Sequence, residues 1–468
     1  MSQPKKEYTK NSLIRLAKLG HFLLSIVVFA LCWKVFYLDI ASRGFAAMSI
    51  LVVIAIYAAI LLLLLRTYNG YHLGLNKKTI LVYSQTLSNL IAAGIFYVLL
   101  TIDQVKLLNP LPLIGLLVVQ FLFNIVWTIL ARNLYFMGNR AKKTILIYRK
   151  AADKVRLNEV FLHEKEFRVV KELKVSGEDI YDLMQEMEGY EAVFVAGVPA
   201  TLRNGILKHC IDNKIVAYIA PHVGDVIMMG AKHVELFSAP IVCAYRADPK
   251  IEYVFIKRVF DIVASLLGII VLSPFMIGTA LAVKLYDGGP ALYKQVRLTK
   301  DGKHFEIMKF RSMGVNAESD GVARLATEND NRITPVGKVI RACRLDELPQ
   351  LFNILKGDMT IVGPRPERPE IAAQYVEHIP AFSLRLQVKA GLTGYAQVYG
   401  KYNTDPYDKL QMDLMYINRM SVAEDLKLMF ATVKILFMKE STEGIADGSV
   451  TANDKAAETA EDRELVAP

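Results

Sequence analysis

Length, composition and charge already narrow the class of this chain. Its 468 residues, 53% of them hydrophobic, leave room for several domains, and a mean hydropathy of +0.29 indicates a protein partly solvated by lipid. The net charge of +10 suits an anionic membrane surface or a phosphorylated substrate. The same charge would also suit a nucleic acid, but the segments of lipid-spanning length favour the first two partners, and no nucleic-acid partner is expected.

Four apolar runs come first and predict four transmembrane helices within residues 1–136. They lie at about 21–40, 46–65, 80–100 and 111–131, and each approaches the roughly 20 residues that cross a bilayer. Lysine and arginine concentrate before the first run, between the second and third, and after the fourth. The positive-inside rule therefore places the N-terminus and everything after the fourth helix in the cytoplasm. No ionisable residue lies in the middle of a run, which favours an anchor over a transporter.

Residues 137–250 alternate short β-branched runs with amphipathic ones, from Thr144–Tyr148 to a last run at Val234–Ala244. This alternation predicts a small Rossmann-like α/β domain with a mainly parallel sheet. The segment Tyr148–Asp153 after the first strand contains no glycine, so close backbone approach to a pyrophosphate is not supported. A scaffold or dimerisation module is favoured over a ligand-binding one, and a homodimer is possible.

A second kind of apolar segment occupies residues 251–286 and is interrupted by Ser273-Pro274. Proline removes a backbone donor, so a sharp bend is expected there, with the serine hydroxyl capping a freed carbonyl. Two structures fit: a kinked helix that crosses the bilayer, or a re-entrant helix-break-helix that returns to the same face. In the re-entrant case Lys257, Arg258 and Lys284 can snorkel to a single interface.

Residues 287–440 predict a soluble, mostly α-helical catalytic domain rich in cations. Cations that can bind phosphate oxygens are concentrated in Tyr293–Arg297, Phe305–Met313, Arg332–Thr334, Arg341 and Arg344. They surround the pair Asp346-Glu347, whose side chains diverge by roughly 100° on a helix and suit separate roles. One carboxylate can attack phosphorus while the other holds a divalent metal. The alternative is that both carboxylates simply favour the positive end of their helix.

Two further loops flank this pair. Gly363–Glu367 is stiffened by two prolines that hold Arg365 in place, and the glycine-punctuated stretch Lys389–Gly400 can approach a sugar or a base. The last residues, 441–468, contain few large apolar side chains and predict a disordered tail.

Taken together, these motifs resemble the bacterial polyprenyl-phosphate sugar-1-phosphate transferases, in the large form with N-terminal transmembrane helices. The resemblance covers roughly residues 250–440. The matching segments, in order, are Lys257-Arg-Val-Phe-Asp-Ile, Ser273-Pro274, Asp287-Gly-Gly-Pro, Lys309-Phe-Arg-Ser-Met, Leu345-Asp-Glu-Leu-Pro-Gln-Leu-Phe-Asn, Gly363-Pro-Arg-Pro and Gly391-Leu-Thr-Gly.

The resemblance implies transfer of a sugar-1-phosphate from a UDP-sugar to undecaprenyl phosphate with release of UMP, at the bacterial inner membrane, as the first membrane step of exopolysaccharide, capsule or O-antigen synthesis. It implies that Asp346 is the nucleophile, that Glu347 binds Mg²⁺, and that Arg365 binds the donor. Lys309, Arg311, Arg341 and Gln350 are further predicted contacts. The resemblance also supports re-entry at Ser273-Pro274. Two alternatives remain: a non-catalytic membrane scaffold for glycan assembly, and a conventional glycosyltransferase that releases UDP.

Overall fold

The chain divides into two compact units, Met1–Ala220 and Pro221–Pro468. The computed structural model describes residues 4–37, 50–176, 180–236, 239–247, 249–315, 317, 330–400 and 404–435. The predicted disordered tail, 441–468, lies outside these residues.

Long apolar helices open the first unit. They are α1 (Pro4–Phe36), α2 (Ile50–Thr67), α3 (Lys78–Asp103) and α4 (Leu111–Gly138). The apolar part of α1, together with α3 and α4, is long and apolar enough to cross a membrane, whereas the described part of α2 is shorter. Three of the four predicted spans thus meet this test, and the second predicted run begins outside the described residues.

Polar side chains in these helices pair with one another. The His21 ring contacts the side-chain oxygen of Asn124 at 3.0 Å, and the Thr128 hydroxyl donates to the side-chain oxygen of Gln85 at 3.2 Å. Amides and hydroxyls exposed to lipid would lose their hydrogen bonds to water, so they face neighbouring helices instead. Apolar side chains such as Leu130 remain exposed.

A parallel four-stranded sheet completes the first unit, as the alternating pattern predicts. Its strands are β1 (Lys142–Tyr148), β2 (Phe167–Lys174), β3 (Ala192–Ala196) and β4 (Val216–Ile219), in the order β2-β1-β3-β4. Its helices are α5 (Ala151–Leu157), α6 (Ile180–Glu186) and α7 (Ala200–Asp212). Strand β1 is central, and Ile145, Leu146 and Ile147 are all fully buried, as expected for a strand covered on both faces.

The last predicted strand of this domain does not join the sheet. It forms the antiparallel hairpin β5 (Lys232–Leu236) and β6 (Ala239–Cys243), which lies in the second unit after α8 (Val223–Met229). Pro240 lacks the N–H that a central strand needs, which explains its place in a two-stranded ribbon. The first compact unit ends at Ala220, so this hairpin is part of the second unit.

The apolar segment of the second unit is one 37-residue α-helix, α9 (Ile251–Asp287), which contains Pro274 and is long and apolar enough to cross a membrane. The segment is thus a continuous helix in the structure, whereas the sequence predicts two helices separated by a break at Ser273-Pro274. Proline at 274 leaves the Ile270 carbonyl without its usual donor, and the Ser273 hydroxyl donates to that same carbonyl at 2.8 Å. The expected capping by serine is therefore observed, and it compensates for the missing backbone bond.

Both halves of α9 pack against the rest of the second unit. Before Pro274, Arg258 donates to the Ile354 and Leu355 carbonyls at 2.7 Å each. After Pro274, Met276 and Val283 join an apolar cluster with other buried residues of the unit. Two of the three cations expected to snorkel are thus engaged by protein, since Lys257 also pairs with Asp425, at 2.7 Å.

The remaining elements form the body around the carboxylate pair. The hairpin is β7 (Leu292–Leu298) with β8 (His304–Phe310), and a short parallel pair joins β9 (Thr360–Val362) to β10 (Gly391–Thr393). The helices are α10 (Pro335–Ala342), α11 (Gln350–Lys356), α12 (Pro369–His378), α13 (Tyr395–Tyr399), α14 (Pro406–Asn418) and α15 (Val422–Ile435). This part is largely helical, as predicted.

Buried Asp261 of α9 ties this body to the apolar helix. Its carboxylate accepts hydrogen bonds from the Thr360 hydroxyl at 2.7 Å and from the Ile361 N–H at 3.0 Å. A carboxylate is retained on an otherwise apolar helix because β9 supplies the donors that water would have supplied. The start of β9 is thereby fixed against α9.

Candidate active site

The pair Asp346-Glu347 lies in a single 3₁₀ turn, Leu345–Glu347, between α10 and α11. Arg344 precedes the turn in the left-handed region (φ 52°), which reverses the chain after α10. Leu345 and Leu348 flank the pair and pack against the apolar cluster that includes Met276 of α9 and Phe310 of β8. The apolar helix therefore supports the turn that carries both carboxylates.

Glu347 is the centre of a cationic cluster. Its carboxylate contacts the guanidinium of Arg365 at 3.0 Å, the ammonium of Lys309 at 3.6 Å and the guanidinium of Arg344 at 3.9 Å. Burial by itself would raise the pKa of Glu347, but these three cations hold the pKa well below its usual range. Glu347 is therefore ionised at neutral pH.

The environment of Asp346 differs from that of its neighbour. Burial, and then the negative charge of Glu347, raise the pKa of Asp346 to about 6, although Lys309 and Arg341 oppose the shift. Two carboxylates with pKa values displaced in opposite directions suit two different chemical roles. Asp346 has the more basic carboxylate and is still largely ionised near pH 7.

Lys309 reaches the cluster from β8. Its pKa falls to about 8 because burial disfavours the ammonium, while Glu347 acts in the opposite direction. Buried Asn353 of α11 fixes this strand: its carbonyl oxygen accepts from the Met308 N–H at 2.9 Å, and its amide donates to the Glu306 carbonyl at 2.7 Å. Asn353 is the last residue of the matching segment that begins at Leu345, so one segment carries the carboxylates and positions their cation.

Arg365 reaches the cluster from the proline-stiffened loop Gly363–Glu367. Gly363 donates to the Thr393 carbonyl and Gly391 donates to the Pro364 carbonyl, each at 2.8 Å. A Cβ on Gly391 would overlap the Gly363 backbone, so glycine is needed for this close approach. The side chain of Arg365 is 41% exposed, so the guanidinium is accessible to a ligand while it contacts Glu347.

A buried ion-pair network lies beneath this loop. Arg385 and Asp413 are 2% and 1% exposed, and Arg385 contacts Asp413 at 2.6 Å and Glu367 at 3.5 Å. The same guanidinium donates to the Arg365 carbonyl at 2.9 Å. The backbone of the loop is thus held at the residue whose side chain reaches Glu347.

The structure does not bring every predicted residue into the cluster. Arg311 lies 8% exposed and pairs with Asp287 at the end of α9, and it also donates to the Pro290 carbonyl at 2.8 Å. Arg341 acts on Asp346 through its charge, and Gln350 is buried as the first residue of α11. Ser273 and Pro274 lie within α9, as described above.

Sequence reasoning assigned no roles to Arg385, Asp413, Asn353 and Asp261. Two of them stand inside matching segments, Asp261 in Lys257–Ile262 and Asn353 in Leu345–Asn353, but nothing in those segments shows which backbone group each contacts. Arg385 and Asp413 carry no local signal at all, because a buried ion pair is recognised only when both partners are placed.

The side chains present are compatible with Mg²⁺ in one binding mode. The described residues contain no group of three or more His, Cys, Asp or Glu side chains that could enclose a metal ion. Mg²⁺ is commonly bound by one or two carboxylates, with substrate phosphates and water completing the shell. Ionised Glu347 supplies such a carboxylate, so the site fits Mg²⁺ if a phosphorylated substrate provides further oxygens.

Comparison with known proteins agrees with this site. Residues 252–439 match the family described as bacterial sugar transferase. A UDP-N-acetylgalactosamine-undecaprenyl-phosphate N-acetylgalactosaminephosphotransferase of Aeromonas hydrophila is 43% identical over 191 residues, 40% of this chain and 45% of that protein. A UDP-glucose:undecaprenyl-phosphate glucose-1-phosphate transferase of Klebsiella pneumoniae is 35% identical over 290 residues, 60% and 62% of the two chains. This chain therefore covers about half of the length of these relatives.

A shorter relative is matched over most of its length. A UDP-glucose:undecaprenyl-phosphate glucose-1-phosphate transferase of Caulobacter vibrioides is 38% identical over 198 residues, which are 41% of this chain and 74% of that protein. The family segment, residues 252–439, contains the carboxylate pair, its cations and all but the first residue of the apolar helix. On this evidence the chain belongs to the bacterial sugar transferase family.

Proposed function

We propose that this protein transfers a sugar-1-phosphate from a UDP-sugar to undecaprenyl phosphate, releases UMP, and so initiates synthesis of a surface polysaccharide. The observation that carries the proposal is the placement of Asp346 and Glu347 inside a cationic cluster and directly against an apolar, membrane-length helix. Such a site can receive a charged nucleotide and a lipid phosphate together. The names of the relatives above support the choice of donor and acceptor.

The first step uses Asp346 as a nucleophile. Its carboxylate attacks the phosphorus that carries the sugar, an oxygen–phosphorus bond forms, and the bond from that phosphorus to the bridging oxygen of UMP breaks. UMP leaves with the bonding electron pair. Lys309 and Arg365 offset the negative charge of the diphosphate, which would otherwise repel a carboxylate.

The second step regenerates the carboxylate. An oxygen of undecaprenyl phosphate attacks the same phosphorus and displaces Asp346, so the product is a lipid diphosphate sugar. The apolar surface of α9 beside the turn gives the lipid chain a route to the site. When bound at Glu347, Mg²⁺ would neutralise the diphosphate charge.

Re-entry of α9 on the cytoplasmic side of the inner membrane belongs to this proposal. A straight 37-residue helix is about 55 Å long, yet both of its ends contact charged residues of the same unit. Tyr253 donates to Asp425 at 2.8 Å, and Asp287 pairs with Arg311. A helix that crossed the bilayer would carry one end to the opposite face, so these contacts support the placement of both ends at one face, which requires α9 to bend within the membrane.

Cysteine labelling tests this topology. In a variant without native cysteines, we expect Ile251→Cys and Leu285→Cys, which replace side chains 85% and 82% exposed, to react with a membrane-impermeant maleimide in inside-out vesicles only. Val105→Cys, between α3 and α4, serves as the control and should react from the outer face. Labelling of positions 251 and 285 from opposite faces would contradict re-entry.

The activity itself is tested with purified protein, undecaprenyl phosphate, Mg²⁺ and UDP-glucose, UDP-galactose or UDP-N-acetylgalactosamine. We expect one of these donors to yield UMP and a lipid diphosphate sugar, because attack falls on the phosphorus that bears the sugar. Release of UDP would instead identify a conventional glycosyltransferase. Absence of any nucleotide product with every donor would favour a membrane scaffold.

A further inference from the structure

Gln397 of α13 carries a buried carboxamide that the protein does not satisfy. Its Oε1 and Nε2 atoms are both shielded from solvent, and neither has a hydrogen-bond partner within the described part of the chain. Buried side-chain polar atoms are nearly always hydrogen-bonded, since burial removes their bonds to water. A carboxamide with both ends unpaired therefore indicates a partner that is not part of this unit.

Two other side-chain amides of the same unit, one buried and one partly buried, are hydrogen-bonded to the protein at both ends. Asn353 accepts from one backbone N–H and donates to one backbone carbonyl. Gln387 likewise accepts from the Ala247 N–H at 2.8 Å and donates to the Leu384 carbonyl at 2.7 Å. Gln397 differs from both, because neither end of its amide is bonded to the protein.

The position of Gln397 connects it to the candidate active site. Its Oε1 lies 2.9 Å from the point where a Cβ on Gly394 would stand, and that point also adjoins the Gly363 carbonyl. Gly363 and Pro364 are hydrogen-bonded to the strand that ends just before Gly394, and Arg365 follows them. The carboxamide thus lies close to the backbone of the Gly363–Glu367 loop, whose Arg365 contacts Glu347.

The side chain can reach a ligand at little cost. The residue as a whole is partly exposed although its amide atoms are covered. A movement of the amide toward a ligand would break no hydrogen bond within the protein. A residue bonded like Gln387 would lose two bonds in the same movement.

We propose that Gln397 binds the uracil base of the UDP-sugar donor, with its carboxamide paired to the imide edge of the ring. This inference rests on the proposed function. A carboxamide offers one acceptor beside one donor, which matches the N3–H and the adjacent carbonyl of uracil. In the donor, the sugar is attached to the phosphorus attacked by Asp346, whereas the base lies beyond the second phosphate. In the protein, Arg365 contacts Glu347, and the Gly363 carbonyl of the same loop adjoins the Gly394 position beside the Gln397 amide.

Binding of UMP by titration calorimetry tests the proposal without turnover. We expect Gln397→Met, which keeps the volume and removes the amide, to weaken UMP binding about 10- to 100-fold, as expected for loss of a paired donor and acceptor. Pyrophosphate lacks the base, so it should bind to the Gln397→Met variant and to the wild-type protein with the same affinity. The melting temperature should not fall, because the amide makes no bond within the protein.

Gln387→Met is the matched control. It removes an amide with two protein partners, so the melting temperature should fall while UMP affinity stays the same. Unchanged UMP affinity in Gln397→Met would overturn the proposal. If only the affinity for the UDP-sugar changed, the amide would contact the sugar and not the base. Gln397→Ala repeats the test if the methionine variant does not fold. UMP release by the wild-type protein is measured on the same preparation. If the wild type releases no UMP, the proposed function fails, and this result is distinct from a change in UMP affinity of the variant.

Discussion

Asp346→Asn is expected to reduce sugar-phosphate transfer by about a thousandfold or more, because a carboxamide cannot form the covalent bond to phosphorus. Thermal stability should be unchanged or higher. Folding raises the pKa of Asp346, so the ionised carboxylate destabilises the folded state once the pH exceeds the pKa of Asp346 in the unfolded chain. Asparagine removes the repulsion between this carboxylate and Glu347. Stopped assays of UMP release and melting temperatures at pH 8 measure both effects.

The control for this variant is Asp301→Asn, which changes a carboxylate in an exposed turn that pairs with Arg246. It should retain wild-type transfer. Turnover close to the wild-type rate in Asp346→Asn would remove Asp346 from the mechanism, and a large fall in melting temperature would indicate a structural role instead.

The pH profile gives a second view of the same carboxylate. Transfer should rise with pH through about 6, because Asp346 must lose its proton before it attacks. Arg341 lowers the pKa of Asp346, so Arg341→Gln should move this acid limb to higher pH. Lys338→Gln, on an exposed position of the same helix, should leave the limb in place. A limb that does not move in Arg341→Gln would contradict this electrostatic link.

Arg385→Leu is expected to have the largest effect on stability. It leaves Asp413 and Glu367 buried without their shared cation, a situation that costs about 3–5 kcal/mol of unfolding free energy. It also removes the donor to the Arg365 carbonyl, so UMP affinity should fall through the displaced loop. Arg246→Leu, which breaks an exposed pair with Asp301, should cost less than about 1 kcal/mol.

The double variant Arg385→Leu with Asp413→Leu separates the two effects. Removal of the stranded carboxylate should restore much of the melting temperature, while UMP affinity should remain low because the Arg365 carbonyl still lacks its donor. Full recovery of UMP affinity together with stability would show that Arg385 does not position the loop.

Local pattern was enough to predict much of the architecture. Apolar length predicted α1, α3, α4 and α9, since hydropathy depends on neighbouring residues alone, and the alternating runs predicted the parallel sheet of β1 to β4. The prediction failed for the run at Val234–Ala244, because the two strands in this part of the chain pair with each other and not with the sheet. Pro274 lies within a continuous helix, where Ser273 and packing on both sides compensate for the lost bond.

The family motifs, the carboxylate pair at Asp346-Glu347 and the apolar helix beside it can be recognised in the amino-acid sequence, because each is a property of adjacent residues. Which cations meet that pair depends on the folded arrangement. Lys309 and Arg365 reach Glu347, while Arg311, equally suited to phosphate by sequence, is engaged by Asp287. The physical reason is that an ion pair forms between side chains that folding brings together, and residue type alone does not specify the partner.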